Sequence, residues 1–352
     1  MSAGKSRVLI VDDARENLDL LSSILSDQYD VMAAPSGEFA LKIMASKKPD
    51  IVLLDVSMPG MSGFDVLQYM KNTPGLANIP VIFVTGESDA DSEEFGLLLG
   101  AVDYVKKPYN SSIIGIRVRN HIELKTYRDG LEELVRKRTE EVVASRDTVI
   151  FGMSLCAESR DKVTGTHIQK IKWYTSLIVD KMVELFPSEI TKDYAEETVM
   201  FSPLHDVGKV SVADSILNKN GKLTDEEFRE MQRHTVNGAE LLKETKTMYQ
   251  GNRHMLNTAV EIAEFHHEKY DGTGYPHGLK AAEIPLSARI IALADIYDAL
   301  RSERPYKAAF THAQATEIIL KGDGRTKPSH FDPMVLEVFD LLSEDFEAIS
   351  MY

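Results

Sequence analysis

One cysteine, Cys156, stands in a chain of 352 residues. That scarcity excludes an internal disulfide framework and fits a reducing cytoplasm, the compartment expected here. Cys156 itself reads as a small buried hydrophobe. No run of about 18 apolar residues occurs, so membrane insertion is not expected. The opening stretch, "MSAGKSRVLIVDD", lacks the apolar core of a signal peptide. Basic charge is also short: 40 Lys and Arg face 55 Asp and Glu, a formal net charge of −15. Affinity for a nucleic-acid polymer rests on Lys and Arg contacts to phosphate, so that class of partner is not expected. A small anionic ligand held by a few local cations remains compatible. Low-complexity segments and solenoid-like repeats are absent as well.

What the chain does have is a change of pattern near its middle. Over the first 125 residues, short β-branched runs ("RVLIVDD", "DVMAAP", "DIVLLDV", "PVIFVTG", "DYVKKP") alternate with helix-like segments such as "ENLDLLSSIL" and "EFALKIMASK". Five such strands predict a parallel sheet covered by helices on both faces. The site of such a sheet lies at the carboxyl ends of its strands. Asp12, Asp13, Asp55, Thr85 and Lys107 all occupy strand ends. Residues 120–150 are charged and helix-favouring, with Leu131, Val135, Val142 and Val149 at heptad-like spacing, interrupted by Arg138 and Ser145. They read as a connector helix that either pairs with its copy in a homodimer or packs, solvated, on its own domain. From about residue 147 the strand pattern disappears and helical periodicity dominates. The expected organisation is an α/β domain over 1–125, a connector over 126–146 and an all-α domain over 147–352.

Three carboxylates, Asp12, Asp13 and Asp55, converging at a sheet edge make a hard oxygen site suited to Mg²⁺. An aspartate beside such an ion can accept a phosphoryl group, because the metal offsets the gathering charge. Thr85 can donate to a phosphoryl oxygen, and Lys107 can neutralise another. Pro108 is well placed for a cis peptide. The motifs "VDD", "LDVSMPGMSG", "VTG" and "YVKKP" resemble the response-regulator receiver family over most of residues 6–125. The resemblance implies a flavodoxin-like sheet with Asp55 as phosphoacceptor, Asp12 and Asp13 with Asp55 around Mg²⁺, and Thr85, Lys107 and the aromatic Tyr104 as the switch. It also implies a cognate sensor histidine kinase as partner.

The second half concentrates histidine beside carboxylate. His205-Asp206 and His266-His267 are adjacent pairs, and His167, His234 and Asp295 lie in other helical contexts. Imidazole with carboxylate suits Fe, Mn, Zn or similar ions. Asp206 has two oxygens and can bridge two of them. Neighbours on a helix diverge by about 100°, so His266 and His267 reach one ion best from a helix end. The motifs "ESRDKVTGTH", "HDVGK", "MQRHTVNGAELL", "HHEKYDGTGYPHGL", "IPLSARIIALADIYDALRSERPYK" and "HFDP" resemble the HD-GYP family of metal-dependent phosphohydrolases, which hydrolyse cyclic di-GMP. The resemblance implies one metal on His167, His205, Asp206 and Asp295, and another on Asp206, His234, His266 and His267. A subset of the family binds a third metal through a glutamate four residues before the first histidine. Val163 occupies that position here, and the spacing of nearby Glu158 does not match that role, so two metals are expected, Fe or Mn foremost.

Two ions about 3.5–4 Å apart can hold a bridging hydroxide and polarise phosphoryl oxygens. The expected reaction is in-line attack on the cyclic dinucleotide, giving pGpG or GMP, with no protein nucleophile. Lys209 is placed to hold the phosphate or protonate the leaving group, beside the catalytic pair His205 and Asp206. Arg304 and Lys307 read as phosphate clamps or as ordinary exposed cations. Tyr275 is the expected substrate contact, in a turn where Gly272 and Gly274 permit positive φ and close backbone approach. Phosphorylation of Asp55 is expected to regulate the output. Two alternatives stand beside this: hydrolysis of a mixed GMP–AMP cyclic dinucleotide, and cyclic di-GMP binding without turnover.

Overall fold

The computed structural model describes residues 5–86, 90–160, 165–248, 255–303 and 308–351. Each β-branched run bounded by turn residues forms a strand. These are β1 (Arg7–Val11), β2 (Asp30–Ala34), β3 (Ile51–Asp55), β4 (Val81–Thr85) and β5 (Asp103–Lys106). All pair in parallel, in the order β2-β1-β3-β4-β5. Between and after them run α1 (Arg15–Leu25), α2 (Gly37–Ser46), α3 (Gly63–Asn72), α4 (Ala90–Leu98) and α5 (Ser111–Glu158).

Side chains alternate across a strand, and both faces here are apolar. Leu9, Val11, Val52, Leu54 and Phe83 pack with Ala40 and Met44 of α2 and Val66 and Met70 of α3. Val8, Ile10, Leu53, Ile82 and Val84 pack with Leu18, Leu21 and Leu25 of α1 and Ile114, Val118 and Ile122 of α5. Burial on both faces is what a parallel sheet requires. Each such side chain contributes about 1.5–3 kcal/mol relative to exposure. β1 leads to β2 on one side, while β3, on its other side, leads on to β4 and β5. The order therefore reverses between β1 and β3, and the ligand crevice opens at their carboxyl ends.

The chain divides into two compact units, Met1–Glu140 and Glu141–Tyr352. α5 starts in the first and ends in the second as one helix of 48 residues, longer than the stretch predicted from the sequence. Its buried residues near the start belong to the first unit. Leu131, Val135, Val142 and Val149 are exposed.

Among the described residues the second unit is helical: α6 (Gly165–Leu185), α7 (Lys192–Phe201), α8 (Asp214–Leu217), α9 (Asp225–Gln232), α10 (His234–Met248), α11 (Met255–Phe265), α12 (Leu286–Arg301), α13 (His312–Lys321), α14 (Pro333–Leu341) and α15 (Ser343–Ser350). Ile171, Tyr174, Ile178 and Met182 form one buried stripe along α6, in a core shared with Ile290, Leu293, Ala294 and Tyr297 of α12. The spacing is that of an amphipathic helix. Tyr174 stacks on Phe346 with ring centroids 4.8 Å apart and meets Tyr297 edge-on at 5.2 Å. Cys156 corrects the expectation of burial: it is exposed. The buried face of the last turn of α5 carries Ser154, Ala157 and Glu158, and Cys156 lies off that face.

Candidate metal centre and phosphoacceptor site

The carboxyl ends of β1 and β3 bring Asp12, Asp13 and Asp55 together, with one oxygen from each within 4.8 Å of the others. Asp12 and Asp55 are buried. Lys107 reaches from the end of β5 and donates to Asp12 at 2.8 Å and to Asp55 at 2.7 Å. Burial alone would lower the pKa of Lys107; hydrogen bonds to the two carboxylates outweigh it and hold the pKa well above the usual value. Asp55 is pushed up, first by burial and further by Asp12, against the pull of Lys107. Three acids and one base form a cluster short of positive charge, which a divalent cation would supply. The Lys107–Pro108 peptide is cis, as expected. Asn17, which sequence reasoning did not single out, donates to both oxygens of Asp12 at 2.9 and 3.0 Å. Thr85 ends β4 one position beyond Val84, the residue paired with Asp55, and its hydroxyl donates to the Gly86 carbonyl at 3.0 Å. Tyr104 lies on β5 opposite Phe83, partly buried against the sheet core.

In the second unit two donor groups share one aspartate. Asp206, His234, His266 and His267 bring one ligand atom each within 4.8 Å of the others. Glu158, His167, His205 and Asp206 do the same. Asp206 sits between two short 3-10 turns, Ser202–Leu204 and Val207–Ser211, so its carboxylate can face both groups. Its Oδ1 lies 3.2 Å from His234 Nε2 and 3.8 Å from His266 Nε2, and its Oδ2 lies 3.4 Å from His205 Nε2. His266 and His267 follow the last residue of α11, the helix-end position anticipated for two neighbouring ligands.

Local backbone sets the imidazole orientation. The Nδ1 of His205 meets the Ser202 carbonyl at 2.9 Å, that of His234 meets Met231 at 2.7 Å and that of His266 meets Ile262 at 3.0 Å. A carbonyl only accepts, so each Nδ1 carries a proton and Nε2 is the atom turned to the cluster; on a neutral ring it presents a lone pair. These three Nε2 atoms and Asp206 Oδ1 are buried without a hydrogen-bond partner among the described residues. Lone pairs gathered this closely repel one another unless a cation lies among them. The donor set therefore fits divalent transition ions. Burial, reinforced by neighbouring imidazoles, lowers the pKa of His266 well below its usual value and takes that of His267 to about 3. Both rings thus stay neutral, as ligation requires. His205 differs: burial pulls its pKa down, but the Asp206 charge prevails and raises it to about 9 when no cation competes.

His167, in the first turn of α6, is oriented from far along the chain. Its Nδ1 meets Asp298 Oδ2 at 2.6 Å, while its Nε2 lies 3.8 Å from Asp295 Oδ1 and 4.0 Å from Glu158 Oε1. Asp295 and Asp298 are three residues apart on α12 and so share a face. Asp295 borders the donor group of His167, His205 and Asp206, whose fourth member is Glu158, a residue set aside on spacing alone. Lys209 donates to Asp206 Oδ2 at 2.8 Å. The Tyr275 ring packs on His267 with centroids 4.7 Å apart. Gly272 has φ of +83°, and a Cβ on Gly274 would lie 2.3 Å from the Lys269 nitrogen. Glu268 holds this loop against His267 by accepting from the backbone nitrogens of His277, Gly278 and Leu279 at 2.7, 3.1 and 3.1 Å. Val163, Arg304 and Lys307 lie outside the described residues.

Comparison with known proteins matches this division. A family model of the response regulator receiver domain covers residues 8–119, and one of the HD domain covers residues 182–335. A probable cyclic di-GMP phosphodiesterase of Vibrio cholerae is 41% identical, over 96% of this chain and 78% of that protein. A cyclic di-GMP phosphodiesterase of Thermotoga maritima is 33% identical, over 96% and 90%. The cyclic di-GMP phosphodiesterase response regulator RpfG of Xanthomonas campestris is 30% identical, over 94% and 86%. This chain belongs to the same family, the cyclic di-GMP phosphodiesterase response regulators, in which a receiver domain precedes an HD domain.

Proposed function

We propose that this chain hydrolyses cyclic di-GMP to pGpG or GMP at the His/Asp centre of its second unit, under control of phosphorylation at Asp55. The observation that carries this reading is the sharing of Asp206 between two donor groups in which the Nε2 atoms of His205, His234 and His266 are buried without a hydrogen-bond partner among the described residues. His167, His205, Asp206 and Asp295 would hold one divalent ion, and Asp206, His234, His266 and His267 the other, with Fe or Mn as the metal. Bound ions supply the Lewis acidity that activates water near neutral pH and polarises a phosphoryl oxygen. Lys209, beside the shared carboxylate, offsets phosphate charge and donates the proton that the leaving 3′ oxygen needs. Tyr275 lines the approach to His267 and packs against a guanine base or ribose. Arg304 and Lys307 clamp the second phosphate, a role that rests on their sequence context.

Asp12, Asp13 and Asp55 hold Mg²⁺ in the first unit. A sensor histidine kinase supplies the phosphoryl group, Lys107 and Thr85 bind its oxygens, and Tyr104 reports it to the surface. The apolar residues exposed along α5 support a homodimer through that helix.

The test is product formation from cyclic di-GMP, resolved by chromatography, alongside bound metal per chain. The parent is expected to carry two ions and form product, and Asp206→Ala to lose both ions and at least about a hundredfold in rate. Two bound ions without product from cyclic di-GMP, but with product from the mixed GMP–AMP dinucleotide, would reassign the substrate. Tight binding with no product from either would make the chain a receptor.

A further inference from the structure

Glu158 is the last residue of α5 and is only 2% exposed. Neither carboxylate oxygen has a hydrogen-bond partner among the described residues. A carboxylate buried without a partner costs several kcal/mol, so a proton or a cation must offset it. The nearest cation along the chain, Arg160, is turned elsewhere: it binds Asp214 and the carbonyls of Val210 and Val212. What Glu158 does face is the donor set. One of its oxygens lies within 4.8 Å of ligand atoms from each of His167, His205 and Asp206. Ligands on opposite sides of one transition ion stand about 4.2 Å apart, given bond lengths of about 2.1 Å. Four donors at this spacing need close only slightly to share a single ion.

We propose that Glu158 is a direct ligand of the ion held by His167, His205 and Asp206. The inference rests on the metal assignment above and adds a ligand to it. It makes the two positions chemically unequal. The first combines two imidazoles with the carboxylates of Glu158, Asp206 and the bordering Asp295. The second has three imidazoles and one carboxylate. Oxygen-rich sets favour harder ions such as Mn²⁺, and nitrogen-rich sets favour softer ones. The first ion is therefore the one that depends on Glu158.

The test is metal content per full-length chain, grown with Mn or Fe supplied and purified without chelators. Parent, Glu158→Gln and Glu158→Asp are compared, then challenged with a chelator series. The expected result is two ions in the parent and one in Glu158→Gln. Glu158→Asp keeps the carboxylate on a shorter stem and should hold two ions, one of them stripped at a tenfold lower chelator concentration. Two ions in Glu158→Gln with parental resistance to the chelator would overturn the proposal and leave the two-metal reading standing. A third ion in the parent that disappears in Glu158→Gln would overturn the placement on the first ion. A parent with no ions would overturn the metal reading itself. If Glu158→Gln does not fold, Glu158→Asp decides alone: parental chelator resistance refutes the role.

Discussion

Asp298 touches no predicted ligand atom, yet it orients His167 through a 2.6 Å contact to Nδ1. A carboxylate in that position fixes the tautomer and strengthens the ligand. Asp298→Asn is expected to weaken metal binding about 10–100-fold, measured by chelator competition, with overall folding retained. Asp55 allows a signed prediction. Its pKa is raised in the folded chain, foremost by burial, so the folded state binds that proton more tightly than the unfolded state. This carboxylate therefore subtracts stability as pH rises from the ordinary aspartate value through the raised one. Without Mg²⁺, Asp55→Asn should relieve this cost at pH 7, read as a higher melting temperature of the first unit. The gain should shrink as pH falls toward about 3.9, and Mg²⁺ should raise the parent's melting temperature more than the variant's. Much of this residue chemistry was legible in the sequence, because His-Asp and His-His pairs and strand-end aspartates are compact signals. Asp298 and Glu158 were not: each meets its partners across a segment whose path only the fold determines. Cys156 was misjudged because one residue carries no periodicity of its own.

At the scale of elements, the site depends on how closely two backbones approach. A Cβ on Gly208 would lie 1.9 Å from the His234 carbonyl and 2.5 Å from the Gly238 nitrogen. Gly208 thereby lets the turn that carries Asp206 lie against α10, which begins with His234. Gly208→Ala is expected to destabilise the second unit by about 1–3 kcal/mol and to release metal from the nitrogen-rich group first. Thermal unfolding and metal analysis of one preparation would check both effects. The sheet was readable strand by strand, since buried parallel strands are continuous apolar runs. The end of α5 was not, because its charged middle gives no stop signal and its last turns mix apolar and polar residues on both faces, with Met153 and Leu155 exposed and Ser154 and Glu158 buried.

Across the whole molecule, one unbroken helix enters both units. If phosphorylation acts through α5, the phase of that helix matters. Inserting two residues near Glu140 turns the following segment by about 200°, while seven residues nearly restore the phase. The shorter insertion should abolish the effect of phosphorylation on hydrolysis, and the longer one should preserve it, as measured with and without acetyl phosphate. Val135 and Val142 are 63% and 67% exposed. Replacing both by Asp should shift a dimer to monomer in sedimentation while both units stay folded.

The imidazole contacts also differ in how far along the chain they reach. Three of the candidate ligands, His205, His234 and His266, take their orienting carbonyl from three or four residues upstream. Each such contact is local in sequence and needs only its own turn to form. His167 precedes all of them, yet its orienting carboxylate lies 131 residues further along the chain. The nitrogen-rich half of the centre thus takes its orientation from its own turns, whereas the other half depends on α12.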